Sequence, residues 1–135
     1  CSAALNWRVL VAEDNEINAL LTRTVVEKLG CEAVIVTDGS DAIDAVAGAL
    51  AGSAPHIDAI LMDLHMPMVD GITATTQIHQ LCDAVGAPRP VIIAVTANAF
   101  REDRERCLAA GMDDYLSKPF EPDDLRRILE THAAL

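Results

Sequence analysis

Five side chains in this sequence could do chemistry together, and each closes a run of mainly apolar residues. Glu13 and Asp14 follow Arg8-Val9-Leu10-Val11-Ala12, and Asp63 follows Ile57-Asp58-Ala59-Ile60-Leu61-Met62. Thr96 follows the Pro90 to Val95 run, and Lys118 follows Tyr115-Leu116-Ser117. An apolar run that ends on a carboxylate has two explanations. Either the charge is solvated where the chain leaves the core, or it is held there rigidly in order to react. Three carboxylates gathered in one place repel, and that arrangement asks for a bound cation. Two or three carboxylate ligands with room for water suit Mg²⁺ better than zinc or copper. Duller roles stay open on the residues alone. Glu13 and Asp14 also fit capping of a helix that starts near Asn15, Lys118 fits an ordinary surface position, and Tyr115 fits a half-buried aromatic on an edge strand.

Only a fold can unite groups so far apart in the chain. Each apolar run is followed by a stretch with helical spacing. Ile17, Leu20, Leu21, Val25 and Leu29 fall on one face of a helix that Gly30 stops. Glu32 to Thr37 reads as a second strand, followed by the stripe Ile43, Val46, Ala47 and Leu50. After the strand that ends at Asp63, Asp70-Gly71 makes a turn, and Gly71 opens a helix with Ile72, Thr75, Ile78 and Cys82 inward. Asn98 to Gly111 reads as a weakly amphipathic, highly charged helix. Pro122 sits just inside a last helix that buries Leu125, Ile128 and Leu129. The turn-like linkers are residues 1–6 and Ala49–Pro55. Five strand–helix alternations predict an α/β domain with a five-stranded parallel sheet, helices on both faces and right-handed crossovers. In such sheets the ligand site lies at the carboxyl ends of the strands. All five candidate groups stand at those ends.

The bulk composition agrees with one domain. The chain has 135 residues, 51% of them hydrophobic but only 3% aromatic, so its core must be built from Ala, Val, Ile and Leu. Ten basic against 21 acidic residues give a net charge of −11, which argues against nucleic-acid phosphates or an anionic membrane as direct partners. No apolar run approaches the roughly 18 residues needed to cross a bilayer. Cys1, Cys31, Cys82 and Cys107 form no C-x-x-C pair, which favours a reducing cytoplasm over zinc or a disulfide framework. The first residue is Cys rather than Met, so a fragment of a longer chain is expected.

The blocks "VLVAEDNEIN", "ILMDLHMPMVDG", "VIIAVTANAF" and "GMDDYLSKPF" together resemble, in order and spacing, the receiver (response-regulator) domain of two-component phosphorelays. The resemblance covers 7–135, with 1–6 as a linker remnant. It implies a flavodoxin-like (βα)5 fold with strand order 2-1-3-4-5. It implies Asp63 as phosphoacceptor, Glu13, Asp14, Asp63 and the backbone carbonyl of His65 as ligands of Mg²⁺ (or Mn²⁺), and Thr96 and Lys118 as groups that engage the phosphoryl oxygens. Tyr115 fits the switch aromatic, and His65 and Asn98 the positions flanking a hydrolytic water. A phosphohistidine donor is implied, either a histidine kinase or a histidine phosphotransfer domain. "EDNEIN" and "MDLHMPMVDG" look most like receivers of hybrid sensor histidine kinases, so the parent chain is expected to be such a kinase and to be membrane-anchored in some cases. The isolated domain would be no enzyme in the usual sense, catalysing only its own phosphorylation and dephosphorylation.

Rival classes fit less well. An aspartate-nucleophile phosphatase of the haloacid-dehalogenase type wants a second Asp two residues after the first, where His65 stands. A dinucleotide oxidoreductase needs a Gly-rich loop after the first strand, and "EDNEIN" has none. A pseudo-receiver scaffold typically loses the acceptor Asp or the Lys, and both are present. His56, His79 and His132 are isolated and carry no pattern of their own, and the charge run Arg101 to Arg106 reads as a solvated face.

Overall fold

The computed structural model describes residues 8–52, 57–63, 71–87, 90–96, 105–106, 108–117 and 121–133. In chain order these form β1 (Arg8–Ala12), α1 (Glu16–Lys28), β2 (Glu32–Val36), α2 (Gly39–Leu50), β3 (Ala59–Asp63), α3 (Gly71–Val85), β4 (Val91–Thr96), β5 (Asp114–Ser117) and α4 (Pro122–Ala133). The five strands make one sheet in the order β2-β1-β3-β4-β5, with every pairing parallel. A parallel sheet needs crossovers that cover both its faces, so its inner strands must be apolar on both sides. That requirement is why the continuous apolar runs are legible as strands.

Alternation along each strand splits the core into two layers. Leu10, Ala12, Ile60, Met62, Ile92 and Ala94 face α2 and α3, where they meet Ala42, Val46, Ala74, Ile78 and Cys82. Val9, Val11, Ala59, Leu61, Ile93 and Val95 face α1 and α4, where they meet Val26, Leu29, Leu125 and Leu129. Burial of each Val, Leu, Ile or Met side chain among these stabilises by about 1.5–3 kcal/mol.

Two expectations need correction. The linker reading for Ala49–Pro55 is too long, because α2 continues through Leu50 and turns at Ala51 and Gly52; residues 53–56 lie outside the described set. The apolar stripe of α1 is turned differently from the expected orientation. Ile17, Leu20 and Leu21 are 71%, 63% and 60% exposed, while Ala19, Thr22, Val26 and Leu29 are buried. The helix carries two apolar stripes, and the one with the smaller residues lies against the sheet. Most of the predicted Asn98–Gly111 helix also lies outside the described residues, although 105, 106, 108 and 109 are helical.

Candidate functional site

The site begins with strand register. Val11 pairs with Leu61 across β1 and β3, and Asp63 pairs with Val95 across β3 and β4. Side chains alternate faces, so Glu13 and Asp63, each two residues beyond a paired position, are directed to the same side of the sheet. The Glu13 backbone N–H donates to the Val36 carbonyl at 3.0 Å, which extends the β1–β2 pattern and holds the residue in line. Glu13 and Asp63 are buried, at 4% and 5% exposure, whereas Asp14 is exposed. Carboxylate oxygens of Glu13, Asp14 and Asp63 all lie within 4.8 Å of one another.

α1 starts at this mouth. Its N-cap is Asn15, whose side-chain oxygen accepts from the Ile17 and Asn18 amides at 2.9 and 3.1 Å. Glu13 accepts from the Asn15 amide at 3.3 Å. Capping is therefore supplied mainly by Asn15 and not by the Glu13-Asp14 pair, a role sequence reasoning missed although Asn is among the best cap residues.

The donor set suits a small hard cation. Burying two carboxylates beside a third is costly without compensating charge. Ligands of an Mg²⁺ octahedron stand about 2.9 Å apart when adjacent and about 4.1 Å apart when opposite, so three carboxylates whose oxygens already lie within 4.8 Å of one another need only small side-chain adjustments to share one ion. Three protein oxygens are too few for the six to eight ligands of Ca²⁺ and leave positions for water or a phosphoryl oxygen.

Other expected site residues are placed in part. Thr96 is the last residue of β4, beside Ser117 of β5, so the backbones that lead to the hydroxyl and to Lys118 end level with each other. The Thr96 side chain, His65, Asn98 and Lys118 lie outside the described residues. Tyr115 pairs with Ala94 and is half-buried against the layer formed with α2 and α3.

A doubly wound parallel sheet with an acidic mouth at its carboxyl edge can hold a hard cation there, and comparison with known proteins says which family carries this arrangement. The sequence profile of the response regulator receiver domain matches residues 9–130. "Hybrid signal transduction histidine kinase L" of Dictyostelium discoideum is 36% identical over 125 residues, 93% of this chain. The receiver domain of the sensor histidine kinase PA1611 from Pseudomonas aeruginosa PAO1, which holds a magnesium ion in its active-site cleft, superposes with a TM-score of 0.77 at 37% identity, covering 93% of this chain and 96% of that one. The complex of the Saccharomyces cerevisiae histidine phosphotransfer protein Ypd1 with the receiver domain of Ssk1 matches with a TM-score of 0.77 at 26% identity, covering 90% and 84% of the two chains. The chain belongs to the response regulator receiver domain family. It spans 5 to 7% of the length of three histidine kinases that it matches. No described helix is long and apolar enough to cross a membrane.

Proposed function

We propose that Asp63 is the phosphoacceptor of this receiver domain and takes its phosphoryl group from a phosphohistidine on a histidine kinase or histidine phosphotransfer domain. The observation that carries this reading is the convergence of Glu13, Asp14 and Asp63 within 4.8 Å, with Asp63 fixed at the end of a buried strand. An Asp63 carboxylate oxygen attacks phosphorus as the phosphorus–nitrogen bond breaks. The electron pair leaves on the imidazole, which takes up a proton, and the product is an acyl phosphate. A carboxylate held rigidly below and open above needs little covalent help, because positioning and charge neutralisation carry phosphoryl transfer. Glu13, Asp14, Asp63 and the His65 backbone carbonyl would hold Mg²⁺ or Mn²⁺, which supplies charge neutralisation for the carboxylate and the phosphoryl oxygens.

Thr96 donates a hydrogen bond from its hydroxyl to a phosphoryl oxygen, and the Lys118 ammonium pairs with the new charge. Tyr115 is the aromatic that responds to the Thr96 movement. The exposed Ile17, Leu20 and Leu21 lie one to two helical turns from Asp14 and offer an apolar landing for the phosphohistidine-bearing partner. The receiver unit occupies 7–135 and 1–6 belongs to a linker. The parent chain is a hybrid histidine kinase, with this domain in the cytoplasm and in contact with neither nucleic acid nor membrane. By itself the domain turns over no external substrate beyond its own phosphorylation and dephosphorylation.

Incubation with acetyl phosphate and Mg²⁺ tests this reading. The expected result is one base-labile phosphate on the wild-type chain, seen by intact mass, and none on Asp63→Asn with its fold intact. Persistent phosphate on that variant would falsify the assignment.

A further inference from the structure

The charged, helical segment that precedes β5 is held at its carboxyl end by contacts that the phosphoryl chemistry does not use. Ala110 donates to the Arg106 carbonyl at 3.0 Å and Gly111 to the Leu108 carbonyl at 3.1 Å, which closes the helical turn at 108 and 109. Gly111 then has φ +101°, and a Cβ at that position would meet Cε1 and Nδ1 of His79 at 2.8 and 2.9 Å. His79 lies in α3 and is 8% exposed, so a buried imidazole occupies the space beside Gly111 where a side chain would otherwise project. Met112, the next residue, is part of the same core layer as Ile78 and Cys82. Asp113 is tied twice to the start of β4: its amide donates to the Ile92 carbonyl at 2.8 Å, and its carboxylate accepts from the Ile92 amide at 2.9 Å. Three successive residues are thereby fixed to α3, to the core and to β4. Tyr115, two residues on, packs on that same layer.

From this geometry we infer that His79 is a positioning residue for the phosphorylation response: with Gly111 it forms a fixed pivot just after the helical residues 108 and 109. Rearrangement set off at Asp63 and Thr96 is then confined to the opposite end of that segment and to Tyr115, and is not dissipated in the turn that leads into β5. A two-state surface needs such a point, because two discrete arrangements can be selected only when part of the element is common to both. The inference rests on the receiver reading above and adds a residue that carries none of the site chemistry.

Amide NMR of the whole chain with Mg²⁺, before and after beryllofluoride as a phosphoryl stand-in, tests it. In the wild type, Tyr115, Glu105 and Arg106 are expected to shift while Ile92, Met112 and Asp113 stay in place. In His79→Ala, Met112 and Asp113 should join the shifting set. Hydrogen-exchange protection of the Asp113 amide should fall by about tenfold or more, as local opening becomes easier. Affinity for Mg²⁺ should stay unchanged, because its carboxylates stand on β3 and just beyond β1. His79→Asn, which keeps a shorter polar side chain, should show the same trend if the alanine variant folds poorly. Wild-type Met112 and Asp113 shifts as large as that of Tyr115 overturn the pivot. So do variants whose Asp113 amide is protected as in the wild type. A wild type with no beryllofluoride response anywhere overturns the receiver reading itself.

Discussion

Replacing Gly111 by Ala should be markedly more damaging than the same change at Gly30, and the difference should vanish when His79 is removed. Both glycines have left-handed backbones, with φ +101° and +84°. At Gly30 an added Cβ meets nothing within 4 Å, so Gly30→Ala bears only the left-handed backbone penalty of about 1–2 kcal/mol. At Gly111 the same methyl lands 2.8 Å from a buried imidazole with little room to retreat. Overpacking of that kind adds about 1–3 kcal/mol. Gly111→Ala should therefore cost about 2–5 kcal/mol in total. For a domain of this size the excess over Gly30→Ala corresponds to a fall in Tm of about 4 °C per kcal/mol. Urea unfolding followed by far-UV circular dichroism measures all three variants and the Gly111→Ala, His79→Ala double. In the His79→Ala background the added methyl should cost no more than it does at Gly30. Equal costs at Gly30 and Gly111 in the wild-type background would refute the reasoning, as would an excess that survives loss of the imidazole.

Asn15→Ala removes the cap of α1 and should cost about 1 kcal/mol in urea unfolding, since two amide donors lose their acceptor. Asp14→Asn leaves the fold alone but takes one charge from a three-carboxylate site, so calorimetric Mg²⁺ affinity should drop by about tenfold or more. Leu20→Ser, at a position 63% exposed, should change stability by less than about 0.5 kcal/mol. That variant should slow phosphoryl uptake from a phosphohistidine partner while uptake from acetyl phosphate keeps its wild-type rate, a split that single-turnover assays resolve.

The strands were readable because a parallel sheet covered on both faces leaves no room for polar residues, so Val9 to Ala12, Ala59 to Met62 and Val91 to Val95 stand out as unbroken apolar runs. Their ends matched within one or two residues. The acidic site was readable for the same reason: a charge at the end of such a run is conspicuous, and Glu13, Asp14 and Asp63 do converge. The orientation of α1 was not readable from spacing. Its sequence holds the stripe Ile17, Leu20 and Leu21 and the stripe Ala19, Thr22 and Val26, and periodicity alone favours the bulkier one. Only the close packing of the helix against β1, β2 and α4 decides that the smaller residues go inward. His79 and Gly111 were missed because a lone histidine and a lone glycine, far apart in sequence, carry no local pattern that announces their contact.

The level strand ends make the mouth unusually indifferent to one kind of genetic change and vulnerable to another. Exchange of one aliphatic residue for another within β1 or β3 alters packing but leaves the backbone ladder, and with it the height of Asp63, where it was. Loss or gain of one residue inside β3 is a different event. It would displace the carboxylate by about 3.3 Å along the strand and turn it to the opposite face of the sheet. Glu13 and Asp14 would then lose the third carboxylate of the site. Length variation in descendants of this sequence should accordingly collect in the connections, such as the stretch after Gly52, while the interiors of β1 and β3 keep their residue count even where every side chain in them has drifted.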